Sequence, residues 1–198
     1  MHRDTVDSTA SPRRSAFSCV VTGLTFAFAV ALIVSSWASA GTLPTLKPVA
    51  YNALKSVAGS YRFGVDCTYD PQSTAAEGLA LPPYHGERAQ VFVRPWICAA
   101  ANRAASGRWD ASNGTQAMAL LVLVHESVHV SPFPGARVEH LTECRALTLL
   151  PSLLTALNAP ARVVPAFEAW ASQAHARLLA SDPLVYGPAC SPLDGVYS

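Results

Sequence analysis

His125-Glu126-Ser127-Val128-His129 places two imidazoles four residues apart, with a carboxylate directly after the first. On a helix, positions i and i+4 lie one above the other on the same face, so both rings can reach a single metal ion. The residue after the first histidine sits about 100° further round. Glu126 therefore flanks such an ion without binding it, and can take a proton from a metal-bound water. With six histidines and six glutamates in 198 residues, random placement produces this pentad roughly 0.005 times per chain. The surrounding stretch, TQAMALLVLVHESVHV from Thr115 to Val130, is almost wholly apolar. A helix apolar all round is a buried one. Two histidines and a glutamate inside it are costly unless something pairs with them, and a metal ion does so.

A catalytic zinc site takes three protein ligands and keeps a fourth position for water. The following segment offers two carboxylates, Glu139 and Glu143, at i and i+4 on one face of a second predicted helix. Glu139 lies only nine residues beyond His129, so Pro132, Pro134 and Gly135 must turn the chain tightly; Glu143 has one more helical turn of reach. His140 neighbours Glu139, but consecutive side chains diverge by about 100°, and it reads as a surface histidine.

HESVH followed by EHLTE resembles the gluzincin branch of the zincin superfamily of HExxH zinc metallopeptidases, over about 30 residues from Ala117 to Ala146. The resemblance implies Zn2+ held by His125, His129 and Glu139. It implies that Glu143 orients a ligand histidine by a hydrogen bond, and that Glu126 is the catalytic general base. The implied reaction is hydrolysis of a peptide or protein substrate by a zinc-bound water. The metzincin branch is excluded, because Pro132 and Gly135 stand where its glycine and third histidine would be. The rival reading is a zinc-binding, non-catalytic exported or membrane-anchored protein.

These residues need elements to position them. The pattern predicts a short helix within residues 44–60, strands at 61–67 and 89–95, and a short helix at 96–105. A turn cluster at 106–114 precedes the apolar helix, with Thr115 as its N-cap. A second helix is expected from about 136, passing Pro151 to Leu157, and a third from about 165 to 180, with Phe167, Trp170, Ala174, Leu178 and Leu179 on one face. Residues 68–87 and the tail 182–198 read as irregular. The fold class is mainly α with a small β element (α+β): a zincin-like active-site helix followed by a ligand helix. Residues Val91, Phe92 and Val93 read first as an ordinary core strand; the resemblance offers them a second role, as an edge strand that pairs with extended substrate. Tyr84, His85, Arg94 and Tyr186 are unranked candidates to stabilise an oxyanion.

Charge and cysteine content set the context. Fourteen basic against 13 acidic side chains give a net charge of +1, without the excess of a nucleic-acid binder. No charged residue occurs between Arg14 and Lys47. The run from Cys19 to Val34 is apolar, follows Arg3, Arg13 and Arg14, and precedes Ala38-Ser39-Ala40. Residues 1–40 thus read as a signal peptide, or as a membrane anchor through residues 17–37. Residues 41–198 are then expected to form a single domain, zincin-like by the resemblance, secreted or held on the outer face of the cytoplasmic membrane. Its four cysteines, Cys67, Cys98, Cys144 and Cys190, suit an oxidising compartment. Pairing neighbours in sequence order gives Cys67–Cys98 and Cys144–Cys190.

Overall fold

The computed structural model describes residues 45–59, 63–70, 77–83, 88–112, 114–186 and 190. The leader or anchor expected at residues 1–40, and the candidates Tyr84 and His85, lie outside the described residues. Among those described, no helix is long and apolar enough to cross a membrane.

Six helices and a three-stranded sheet make up the described fold, which is α+β and mainly helical. The order is α1 (Pro48–Ala58), β1 (Phe63–Asp66), β2 (Gly78–Leu81), β3 (Ala89–Val93), α2 (Pro95–Ala104), α3 (Thr115–His129), α4 (Glu139–Ala156), α5 (Val164–Ser181) and α6 (Pro183–Tyr186). Proline starts α1 and α2, where its missing N–H costs nothing and its fixed φ suits a first turn.

Helix α3 is the hub. It packs against α1, α2, α4, α5, β2 and β3. Leu120, Leu123, Val124 and Val128 are buried along it, as its all-round apolar sequence requires. Its N-cap is Gly114 rather than Thr115, which is already the first helical residue. Gly114 has φ 70°, and a Cβ there would stand 2.6 Å from the Trp170 ring, so both the turn and the packing select glycine. Leu54, Phe63, Val91, Val93, Ile97, Leu150, Leu153, Leu154 and Phe167 complete the core.

The sheet order is β1-β3-β2, with β1 parallel and β2 antiparallel to β3. Strand β3 is therefore central, not an edge. Ala89, Val91 and Val93 face the core and both flanks are paired, so this is the ordinary core strand expected, and the edge role that the resemblance offered Val91, Phe92 and Val93 is overturned. The edge beside α3 is β2, within the segment expected to be loop. GLAL is too short and lacks the β-branched residues that announce a strand. The helix after the HExxH segment starts at Glu139 rather than near 136, because residues 130–138 are consumed by turns: Ala136 N donates to Phe133 O and Val138 N to Gly135 O. Helix α4 then runs through Pro151. The tail contains the short helix α6.

Two disulfides, Cys67–Cys98 and Cys144–Cys190, tie β1 to α2 and α4 to the tail, in the pairing expected. They fit an oxidising environment.

Candidate metal centre

Helix α3 projects His125 and His129 from its last turns, and the first turn of α4 lies against them. The two Nε2 atoms are 3.1 Å apart. Glu139 Oε1 is 3.0 Å from His125 Nε2, and Oε2 is 3.3 Å from His129 Nε2. Donors lying about 2.0–2.1 Å from one tetrahedral zinc ion are separated by roughly 3.3 Å. The observed spacings approach that value, so the three side chains fit a divalent ion of this kind and together could hold one.

The outer ring nitrogens set which atoms face the centre. His125 Nδ1 lies 2.8 Å from Glu143 Oε2, and His129 Nδ1 lies 2.6 Å from Ala136 O. Both partners are acceptors, so each Nδ1 is held as a donor and each Nε2 is the nitrogen turned toward the centre, where a metal ion would replace its proton. The short 130–138 turn thus does more than deliver Glu139: it carries the carbonyl that orients His129. Glu143 approaches the far side of His125, away from the convergent atoms. His140 is not part of the group.

Electrostatics follow the same geometry. Burial is the largest influence on His125 and disfavours its charged form, but hydrogen bonds to Glu139 and Glu143, helped by the charges of Glu143 and Glu126, outweigh it and raise its pKa to about 10. Those to His125 and His129 hold the Glu139 carboxyl far below the usual carboxylate range, against the effect of burial. Burial pushes Glu126 upward, opposed by His125 and His129 and aided by Glu139.

A cleft of about 610 Å³ opens onto these groups. Glu126, His125, His129 and Glu139 line it together with Gly78, Leu79 and Ala80 of β2. Gly78 is where β2 crosses Glu126; a Cβ there would stand 2.7 Å from both Cγ and Oε1. The strand is anchored by Glu77, whose carboxylate meets Arg94 Nε at 3.2 Å and accepts from Trp96 Nε1 at 3.1 Å. Of the unranked oxyanion candidates, Arg94 is engaged in that pair, whereas Tyr186 lines the cleft. Burial first, then Glu139, Glu143, Asp182 and Glu126, raises the Tyr186 pKa, so its hydroxyl remains a donor.

Sequence reasoning missed three residues here. Gly78 and Glu77 sit in an apparent loop, and nothing local announces their partners. His175 occupies the core face of α5 with Phe167, Ala171 and Ala174, and a histidine at a core-facing position was the available signal. It belongs to a second cluster with Cys144 and Cys190. Both sulfurs there are in a disulfide, and a disulfide sulfur is not a thiolate ligand. Comparison with protein-family models, with curated proteins and with solved structures found no match.

Proposed function

We propose that this protein is an exported zinc-dependent peptidase. The observation that supports this reading most is that the Glu126 carboxylate lines the same cleft as the convergent nitrogens of His125 and His129 and the Glu139 carboxylate. A structural zinc site is closed by four protein ligands and has no use for a proton acceptor beside it. Here three candidate ligands and a buried carboxylate share one opening.

His125, His129 and Glu139 would hold the ion. Bound zinc supplies Lewis acidity, polarising a carbonyl and making water acidic near neutral pH. The chain's own groups do the rest. Glu126 takes a proton from the attacking water as its oxygen bonds to the carbonyl carbon, and passes it to the amide nitrogen as the C–N bond breaks. Burial, the largest influence on Glu126 in the metal-free protein, favours its taking up a proton. Tyr186 donates a hydrogen bond toward negative charge gathering on the carbonyl oxygen.

An extended peptide suits the cleft. Among the described residues β2 pairs with β3 alone, leaving its other edge for main-chain hydrogen bonds from substrate. Leu79, Met118, Leu121, Val122 and Leu178 provide an apolar wall for a substrate side chain. The two disulfides and the apolar, arginine-preceded leader support an exported location, secreted or membrane-anchored.

The test is zinc content and peptide cleavage of the purified protein beside Glu126→Gln and His129→Ala. About one zinc per chain in wild type and Glu126→Gln, lost in His129→Ala, is expected, with cleavage by wild type alone. Zinc without cleavage would leave a non-catalytic zinc-binding protein, and absence of zinc would sink both readings.

A further inference from the structure

We propose that His175 is a positioning residue of the metal centre, acting through Glu143; this rests on the zinc reading above. Glu143 is 3 % exposed, so both of its carboxylate oxygens need donors. Oε2 has His125 Nδ1 at 2.8 Å. Among the described residues Oε1 has no hydrogen-bond partner, and neither does the buried His175 Nδ1. These two orphan atoms face one another at 3.7 Å. A small rotation of either side chain closes the gap to a charge-assisted hydrogen bond.

The other side of the imidazole fixes which nitrogen holds the proton. His175 Nε2 lies 3.4 Å from Cys190 Sγ. That sulfur is in a disulfide, has no proton to give, and accepts only weakly. A proton on Nδ1 meets a carboxylate, whereas one on Nε2 meets sulfur and leaves two lone pairs opposed at Glu143. The Nδ1–H form is therefore favoured, and Glu143 receives a donor on each oxygen.

The covalent structure closes the arrangement into a ring. Cys144 follows Glu143 directly, and its disulfide partner Cys190 is the residue that abuts His175. Glu143, the disulfide and His175 thus fix one another. The consequence for the centre is that Glu143 keeps its plane, Oε2 stays aimed at His125 Nδ1, and His125 Nε2 stays turned toward Glu139 and His129. Outer partners of this kind are worth about 10- to 100-fold in metal affinity.

The experiment measures zinc affinity by chelator competition on the full-length, disulfide-bonded protein. Wild type is compared with His175→Leu, His175→Asn, Glu143→Gln and the double variant His175→Leu/Glu143→Gln, with a melting curve for each. His175→Leu should weaken zinc binding about 10- to 100-fold. His175→Asn places an amide N–H near the lost Nδ1–H and should recover most of that loss. In the Glu143→Gln background, His175→Leu should change little, since its effect passes through the carboxylate. Unchanged affinity in folded His175→Leu, failure of Asn to rescue, or fully additive losses would each overturn the proposal. Wild type that binds no zinc would overturn the peptidase reading and this inference with it, a result distinct from the other three.

Discussion

Gly78→Ala offers a test of how Glu126 is held. The added methyl carbon would lie 2.7 Å from Glu126 Cγ and Oε1 and 2.9 Å from Cδ, and those are its three nearest neighbours. Non-bonded carbon atoms rest at about 3.5–4.0 Å, so the carboxylate must retreat by about 1 Å. The strand cannot easily yield instead, because Glu77 ties its start to Arg94 and Trp96. A displacement of 1 Å in a reacting group costs about 100-fold in rate, or roughly 2.7 kcal/mol of barrier. The histidines and Glu139 are untouched, so zinc content should stay at the wild-type value. The assay is turnover of a fluorogenic peptide, with zinc per chain and melting temperature measured alongside. A paired comparison sharpens it. Glu126→Asp shortens the side chain by one methylene and makes room, so adding Gly78→Ala to that variant should cost clearly less than in wild type. Full activity in Gly78→Ala, or an equal penalty in both backgrounds, would refute the claim that the strand's close approach fixes the base.

Two further outcomes follow from groups around the centre. The His125 pKa is raised to about 10 in the metal-free protein, above the ordinary 6.5, so its ion pairs stabilise that form fully below pH 6.5 and cease to do so as pH rises through 10. Zinc must displace this proton, so affinity should rise about tenfold per pH unit between pH 6.5 and 8, with one proton released on binding, measured by calorimetry in buffers of differing ionisation heat; a flat profile would contradict the assignment. Gln116 is buried and bridges Ala100 O, Arg108 O and Asp110 N; Gln116→Ala should cost about 2–4 kcal/mol in denaturant unfolding and leave zinc affinity unchanged, and a loss below about 1 kcal/mol would show those groups to be otherwise satisfied.

The parts of the site that were legible in the sequence are those carried by local periodicity. Four-residue spacing puts His125 over His129 and Glu139 over Glu143 whatever the rest of the chain does. Helix α3 was legible because sixteen consecutive residues, 115–130, carry a single message. The disulfide pairing was legible in its simplest arrangement. What was not legible depends on contacts distant in sequence. Gly78 meets Glu126 from 48 residues away, and His175 meets Glu143 from 32 residues away. Strand β2 is four residues of weak β character whose existence is decided by pairing with β3, and that pairing also removes the edge role that the resemblance offered β3. The start of α4 moved because Ala136 had to present its carbonyl to His129 before the helix could begin.

The linear order of the disulfides has a consequence for biosynthesis. Cys67 pairs with Cys98 and Cys144 with Cys190, so during synthesis from the N-terminus each bond joins two cysteines of residues 41–198 that emerge one directly after the other. Of the three ways to join four thiols, oxidation in order of appearance yields the observed one without reshuffling. The second bond is also the later event. Cys190 follows Cys144 by 46 residues, a delay of roughly 2–9 s at ordinary elongation rates. HESVH and EHLTE are therefore made well before the tail that clamps them, and Tyr186 reaches the cleft only with that tail. The cleft therefore gains Tyr186 later than any other residue that lines it, so its full lining is in place only once the segment carrying α6 and Cys190 has been made.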